Sequence, residues 1–315
     1  MAELKNIFSW SFSAAEDFDQ CRRRRYWSKY AMWGGWSHSA SKIQKTAYRL
    51  NKMDNRWGLM GQATEKAIMW ILKEFQVGKM VTAEETWNLV ARPFLSKKWN
   101  ESIEGKWQEK PKQFCCLREH YYKQIEDDNL AKREIADQVK LCIKNFITFF
   151  LPRFDKIKNS QEIQIQTPDM PGDSEHFFYE GIKIYSIPDY VYRIGDQVHI
   201  HDWKAGKMKP EQHRLQLSVY ALWANVKYNV EAENIFLYIE YLKEGKVLPF
   251  QLSKLDLEDS CFFLSDSVGE MSEYLIDYDR ENNQAISKDE WELAIDSSSC
   301  KHCNFYELCE PELTE

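Results

Sequence analysis

Long apolar runs are missing from this 315-residue chain. No stretch approaches the roughly 20 residues a bilayer-spanning helix needs, so no membrane segment is expected. Glycine and proline are scarce, at 12 and 9 residues, and no internal repeat, low-complexity linker or Pro/Gly-rich domain break is found. That excludes fibrous and disordered classes. An excess of positive charge is also missing: 42 Lys and Arg stand against 49 Asp and Glu, a net charge of −7. This argues against wholesale coating of nucleic acid but leaves room for a local basic groove, because binding depends on where charge sits. The first residues, MAELKNIFSW, lack the basic-then-apolar pattern of a secretory signal, so a cytoplasmic location is expected. What is abundant is aromatic: 14% of residues, 12 of them Trp. At 37.5 kDa the chain can bury a substantial core as one elaborated domain or two small ones.

The richest stretch runs from Tyr185 to Lys207, YSIPDYVYRIGDQVHIHDWKAGK. Two alternating runs flank Gly195-Asp196, a two-residue turn signal that closes a β-hairpin. With that turn, Ile194 faces Gln197 and Asp189 faces Asp202. Period-2 alternation puts Asp189 with Ile187 and Val191, and Asp202 and Lys204 with Val198 and Ile200. Two carboxylates and a lysine therefore meet at the edge of an apolar face, where opposed like charges destabilise. A bound cation would remove the conflict. An ordinary surface hairpin accounts for the alternation but not for both acids sharing the apolar parity. His199 and His201 fall on the opposite strand face and read as structural or surface residues.

Elsewhere, Ser13-Ala-Ala-Glu16 reads as a capping box opening a helix through Phe18, Cys21 and the run Arg22, Arg23, Arg24, Arg25 to Gly34-Gly35. A second helix is expected from about Trp57 to Phe75, with Gly61, Glu65 and Ile68 or Met69 along one stripe. Residues from about Thr82 to Phe154 are rich in helix formers, with a long amphipathic stretch from Asp128 to Phe150. β signals begin near Glu162, where Ile163 and Ile165 alternate, and continue from Phe177 to Lys204. Pro210 suits the first turn of a helix to Tyr228, on which Gln216, Tyr220 and Trp223 share a face. Asn234 to Leu242 and Val247 to Leu252 read as a strand pair, and Leu255 to Asp279 as a last helix. This order predicts an α/β core with extra helices, in four segments of one composite domain: 1–75, 76–158, 159–295 and 296–315. Basic residues cluster at Arg22 to Arg25 with Lys29 and at Lys204, Lys207, Lys209 and Arg214. Each cluster reads either as a solvated face or as a contact for a phosphate backbone. Of eight cysteines, Cys115, Cys116, Cys142 and Cys261 read as ordinary thiols, while Cys300, Cys303 and Cys309 form a C-x2-C-x5-C arrangement of ligand type.

Together these residues resemble the PD-(D/E)XK nuclease superfamily: Pro188-Asp189, then Asp202-Trp203-Lys204. Gly206 and Gln216-x-x-x-Tyr220 resemble its RecB-type exonuclease branch. Cys21 with Cys300, Cys303 and Cys309 resembles the iron–sulfur members of that branch, the CRISPR-associated exonuclease and the AddB nuclease domain. The N-terminal string with Ser11, Ser13, Phe18 and Cys21 fits the same group. About Gln76 to Pro152 is unmatched. The resemblance implies a restriction-endonuclease-like core, a mixed sheet flanked by helices, with a helical insertion and an iron–sulfur clasp joining the N- and C-termini.

Phosphodiester hydrolysis needs an activated water, an acceptor for developing charge and help for the leaving oxygen, and Mg²⁺ or Mn²⁺ on carboxylates supplies these. Asp189 and Asp202 are the expected ligands, joined, by the resemblance, by the Trp203 carbonyl. Lys204 would hold the attacking water or stabilise charge on the phosphate. The branch usually carries G-x-x-x-H on its helix; here Gly61-x-x-x-Glu65 stands instead, and Glu65 is either a hard-metal ligand or an exposed helix charge. Gln216 and Tyr220 either pack their helix or, as the resemblance implies, orient Lys204 or contact the scissile phosphate. The family pattern favours a 4Fe–4S cluster on the four cysteines, with zinc the alternative.

The function expected is a metal-dependent DNA exonuclease on single-stranded or frayed ends, in repair, recombination or defence. The alternatives are a non-catalytic iron–sulfur DNA-binding or assembly module, and an endonuclease of a defence or recombination complex. No G-x-x-x-x-G-K-[ST] motif is present, so any unwinding belongs to a helicase or other partner protein.

Overall fold

In the computed structural model, which describes residues 4–168, 170 and 172–313, the elements run in this order. The N-terminal ones are β1 (Ser9–Ser11), α1 (Phe12–Gln20), α2 (Arg22–Arg25), α3 (Lys42–Asn51) and α4 (Arg56–Gln76). A helical stretch follows, with α5 (Ala83–Thr86), α6 (Arg92–Glu104), α7 (Arg118–Tyr121) and α8 (Asp128–Asn145). Strands β2 (Gln161–Glu162), β3 (His176–Tyr179), β4 (Ile182–Tyr185), β5 (Tyr190–Ile194) and β6 (Gln197–Lys204) lead to α9 (Pro210–Tyr228). The chain closes with β7 (Ile235–Tyr241), β8 (Lys246–Phe250), α10 (Lys254–Ser272) and α11 (Tyr306–Leu313). Two compact units emerge. One joins Met1–Met53, His176–Tyr185 and Cys261–Glu315; the other joins Asp54–Glu175 and Ser186–Ser260. The division cuts across the linear segments expected from sequence, because the chain leaves and re-enters each unit.

The larger unit is built on a five-stranded mixed sheet in the order β2-β5-β6-β7-β8. β5 and β6 form an antiparallel hairpin with Ile194 opposite Gln197 and Tyr190 opposite His201, the register expected from the Gly195-Asp196 turn. Gly195 takes φ +57° there, a conformation glycine reaches without Cβ strain. β6 pairs parallel with β7, as a strand followed by a crossover helix requires, and α9 is that crossover. Pro210 does occupy its first turn. The β signal near Glu162 yields only a two-residue strand, β2, paired with β5 at the sheet edge; Ile163 and Ile165 lie beyond it.

Both faces of this sheet are covered. On one, Val191, Val198 and Ile200 are fully buried. On the other, Tyr190, Tyr192 and Trp203 join a core with Leu59, Ile68 and Leu72 of α4, Val139 and Ile143 of α8, and Phe146, Phe150 and Phe154. His199 and His201 lie in this second face, buried and stacked on Tyr192 and Tyr238. Burial pushes the His199 imidazole down to about 4, helped by neighbouring His201 and Lys156.

In the smaller unit, β1 pairs parallel with β4, and β3 antiparallel with β4, as a separate three-stranded sheet. The expected N-terminal helix differs in two respects. Its cap is Ser11, whose hydroxyl accepts from the Ala14 N–H, and not Ser13. It also breaks at Cys21, whose backbone is extended (φ −164°, ψ 111°) and whose sulfur accepts the Arg24 N–H as the next helix begins. The last long helix stops at Ser272, short of Asp279; Leu275 instead forms a bridge with Ala285. Trp291 is fully buried among Phe18, Tyr26, Tyr30 and Tyr274.

Candidate active site and cysteine cluster

In the larger unit, the hairpin brings Asp189, Asp202 and Lys204 together from strand positions fixed by its register. Asp202 is buried, and the Lys204 ammonium lies 2.5 Å from its Oδ2. Half-buried Asp189 precedes β5 and accepts the Trp203 N–H at 2.6 Å on Oδ2, tying the strand ends together. Burial raises the Asp189 carboxyl well above the ordinary range, with Asp202 and then Glu65 adding like-charge repulsion. Glu65 projects from the exposed side of α4 and lines one cavity with Asp189. Its influence on Asp189 places it in the same electrostatic neighbourhood.

α9 supplies the next layer. Lys204 donates to Gln216 Oε1 at 2.6 Å, Gln216 Nε2 donates to the Tyr220 hydroxyl at 2.8 Å, and that hydroxyl donates to the Ile187 carbonyl at 3.3 Å. The i, i+4 spacing puts Gln216 and Tyr220 one above the other, so the chain of bonds runs from the lysine back to the connection before β5, two residues ahead of Asp189. Tyr220 is buried and its phenol is pushed well above its usual value, first by burial and then by Asp202 and Asp189. Trp223 lies on the same helix face but serves the core, donating to Glu175 at 3.0 Å. Lys207 and Lys209 are exposed on the loop after β6.

Among the described residues, no three His, Cys, Asp or Glu side chains are drawn in closely enough to hold a metal ion. The donor set nevertheless fits a hard divalent cation: oxygen ligands only, crowded until one carboxyl resists ionising. Asp189, Asp202 and Glu65 are the residues available to it.

In the smaller unit, Cys21, Cys300, Cys303 and Cys309 line one cavity with Trp27 and Tyr306. All four are free thiols. Three accept N–H bonds: Cys21 from the Arg24 backbone and Cys303 from the Phe305 backbone, each at 3.4 Å, and Cys309 from the Trp27 indole at 3.2 Å. Burial raises Cys300, Cys303 and Cys309, the last to about 11, and each is raised further by Cys21. These four are not drawn in as a ready-made metal site either; soft donors around one space, with N–H groups aimed at three of the sulfurs, are the chemistry that a thiolate-held centre would use. Of the remaining cysteines, Cys115, Cys116 and Cys142 are buried, their thiols pushed up to about 12, as expected of packing residues; Cys261 is half-buried.

The arginine run is placed differently from the expected phosphate-facing surface. Arg23 is 4% exposed, bonded to the Trp291 carbonyl at 2.7 Å and paired with Glu312 at 2.6 Å. Arg22 pairs with Asp19, Arg24 with Asp17, and Arg25 donates to the Ser9 carbonyl. Arg23 is a core cation of its unit and cannot meet a nucleic-acid backbone. The four consecutive arginines give a strong charge signal, but the partners that bury Arg23, Trp291 and Glu312, lie far away in sequence.

A family model for the PD-(D/E)XK nuclease superfamily matches residues 9–310, and the chain belongs to that superfamily. No curated protein matches it. Nucleases of this kind typically use divalent metal ions such as Mg²⁺, and membership makes a metal-dependent nuclease acting on DNA the class to which fold and site point.

Proposed function

We propose that the protein is a DNA exonuclease of the RecB-like, iron–sulfur type, acting on single-stranded or frayed ends in repair, recombination or defence. The observation that carries the reading is the Asp202–Lys204–Gln216–Tyr220 connection beside Asp189. A structural ion pair at a strand end has no need of a half-buried glutamine held by a buried tyrosine to aim its lysine, whereas a lysine presented to a phosphate does. Asp189, Asp202 and Glu65, with the Trp203 carbonyl, would hold Mg²⁺ or Mn²⁺, which when bound supplies charge for the phosphate and the leaving oxygen. Lys204 keeps its ammonium toward the phosphate, held by Gln216, while Tyr220 fixes Gln216. Exposed Lys207 and Lys209 give backbone attraction without base preference.

For the cysteines we favour 4Fe–4S over zinc. What supports this is the resemblance of Cys21 with the C-x2-C-x5-C tail to the iron–sulfur members of the branch, and the place of all four cysteines around one cavity. A centre there would join residues near the two ends of the chain, closing a loop of nearly its whole length.

The test is cleavage by anaerobically purified protein of end-labelled linear and circular single strands with Mg²⁺ or Mn²⁺. Linear strands shortened from an end while circles persist is the expected result. Cut circles would replace the reading with an endonuclease, and intact DNA under both metals with a non-catalytic binding module.

A further inference from the structure

Helix α4 carries more than Glu65. At about 100° per residue, its core side holds Ala63, Ala67, Ile68, Ile71, Leu72 and Phe75, all buried. The opposite side presents Glu65, Met69, Lys73, Lys66 and Trp70 in one unbroken stripe. This stripe lines a cavity of about 440 Å³ together with Ile163, Ile165 and residues 187–191; Asp189 among them feels the charge of Glu65. Trp70 is half-buried, packs against the hydrophobic core and lines the cavity, with the Lys79 ammonium over its ring, 5.9 Å from the centroid. Lys66 and Lys73 are exposed on either side of it in sequence, and Lys73 forms no ion pair among the described residues. Glu162, the other acid in the groove, is engaged by Gln76 at 3.0 Å.

We propose that Trp70, flanked by Lys66 and Lys73, is a strand clamp that makes this site select unpaired nucleic acid. The inference rests on the nuclease reading for what lies at the acidic end, but not for the binding it predicts. A base that displaced the Lys79 ammonium from over the ring would stack on the indole's π-face, and only an unpaired strand has a base free to do so. The lysines supply the cations that track its phosphates. The eight steps from Glu65 to Lys73 advance about 12 Å along the helix, so the stripe extends from Glu65 past more than one nucleotide. A cavity of this size is that of a small-ligand site, the scale of a nucleotide or two. The segment that walls it is the sheet edge, where β2 is the terminal strand.

The experiment measures binding of labelled oligo(dT), oligo(rU) and a blunt duplex to the full chain in the presence of chelator, so that no cleavage is read. Trp70→Ala should weaken oligo(dT) binding about 10-fold or more, the scale of one lost base–aromatic stack, with duplex binding unchanged. Trp70→Phe should keep most of the affinity. The double change Lys66→Gln/Lys73→Gln should reduce the salt slope of single-strand binding by about 1.4, two phosphates' worth. The oligo(rU) arm assigns the sugar: equal loss means unpaired strands of either kind, loss with one polymer means that polymer alone. Unchanged oligo(dT) and oligo(rU) affinities in Trp70→Ala overturn the clamp, as do equal losses on single strand and duplex or a Phe variant as weak as Ala. Cleavage by wild type in Mg²⁺ is scored separately. Cleavage without Trp70-dependent binding sinks the clamp alone; Trp70-dependent binding without cleavage sinks the nuclease reading alone.

Discussion

Gln216 is the side chain whose removal separates a positioned lysine from a merely paired one. In Gln216→Ala, Lys204 keeps Asp202 but loses its 2.6 Å acceptor. A hydrogen bond to a charged group is worth about 1.5–3 kcal/mol, so kcat should fall roughly 10- to 100-fold with little change in KM or melting temperature. Single-turnover kinetics check this; an unchanged kcat makes Gln216 a packing residue. His199 permits a pH prediction on the opposite sheet face. Its folded value of about 4 lies below the ordinary 6.5, so the unfolded chain binds the extra proton between those values. Stability is therefore whole above pH 6.5 and declines as pH falls toward 4, by at most about 3 kcal/mol from this group. Urea denaturation at pH 5 and 7 should show a smaller loss for His199→Phe than for wild type, with half-buried His213, also lowered to about 4 by burial and by Lys204 and Lys209, keeping part of it. An identical loss in both proteins contradicts the assignment. At this scale the sequence was legible where period 2 governs: Asp189, Asp202 and Lys204 follow from alternation and one turn. Burial of His199 was not legible, because it depends on the aromatic core brought over the second face by residues such as Phe146 and Phe154.

Two helices show how elements carry meaning that residues alone do not. α4 was readable from its apolar stripe, and its limits, Arg56–Gln76, differ from the expected ones by a residue at each end. Its stripe of Lys66, Trp70 and Lys73 is equally present in the sequence, at i, i+4 and i+7. If Glu65 is a ligand, Glu65→Ala should lower activity sharply and shift the metal titration to higher concentration, and Glu65→His should restore part of both. A titration superimposable on wild type returns Glu65 to an ordinary helix charge. The N-terminal helix was misread because its interruption at Cys21 has no local breaker such as Gly or Pro; tertiary bonds, including the Arg23 N–H to the Glu292 carbonyl, hold the second segment in place. The same packing makes Arg23 structural. Arg23→Gln should destabilise the fold by about 1–2 kcal/mol, since Glu312 is partly solvated and only the buried end of the pair is lost. Chemical denaturation measures it, and stability equal to wild type with weakened DNA binding would restore the surface reading.

On the scale of the whole chain, each unit carries one constellation: carboxylates and lysine in the larger, four thiols in the smaller. The recurrence of Cys21 with a tail nearly 300 residues away was visible as a pattern in sequence, and the structure gathers those residues around one cavity. Chain topology was the part that sequence hid. His176–Tyr185 lies between two segments of the larger unit yet pairs with β1, an assignment that no local periodicity could make. Anaerobically purified protein should be brown, contain iron and labile sulfide, and lose both in Cys21→Ala or Cys303→Ala, with earlier melting and protease-sensitive termini. Colourless protein with stoichiometric zinc would replace the cluster, and a Cys21→Ala protein with full metal content would reduce Cys21 to a buried thiol. The most direct measurement of the central claim is metal-dependent hydrolysis of end-labelled single-stranded DNA by wild type, Asp202→Ala and Lys204→Ala, each with DNA binding measured in parallel. The account predicts cleavage by wild type with Mg²⁺ or Mn²⁺, none by either variant, and binding largely retained by both. Wild-type rates from either variant, in preparations free of contaminating nuclease, would contradict it.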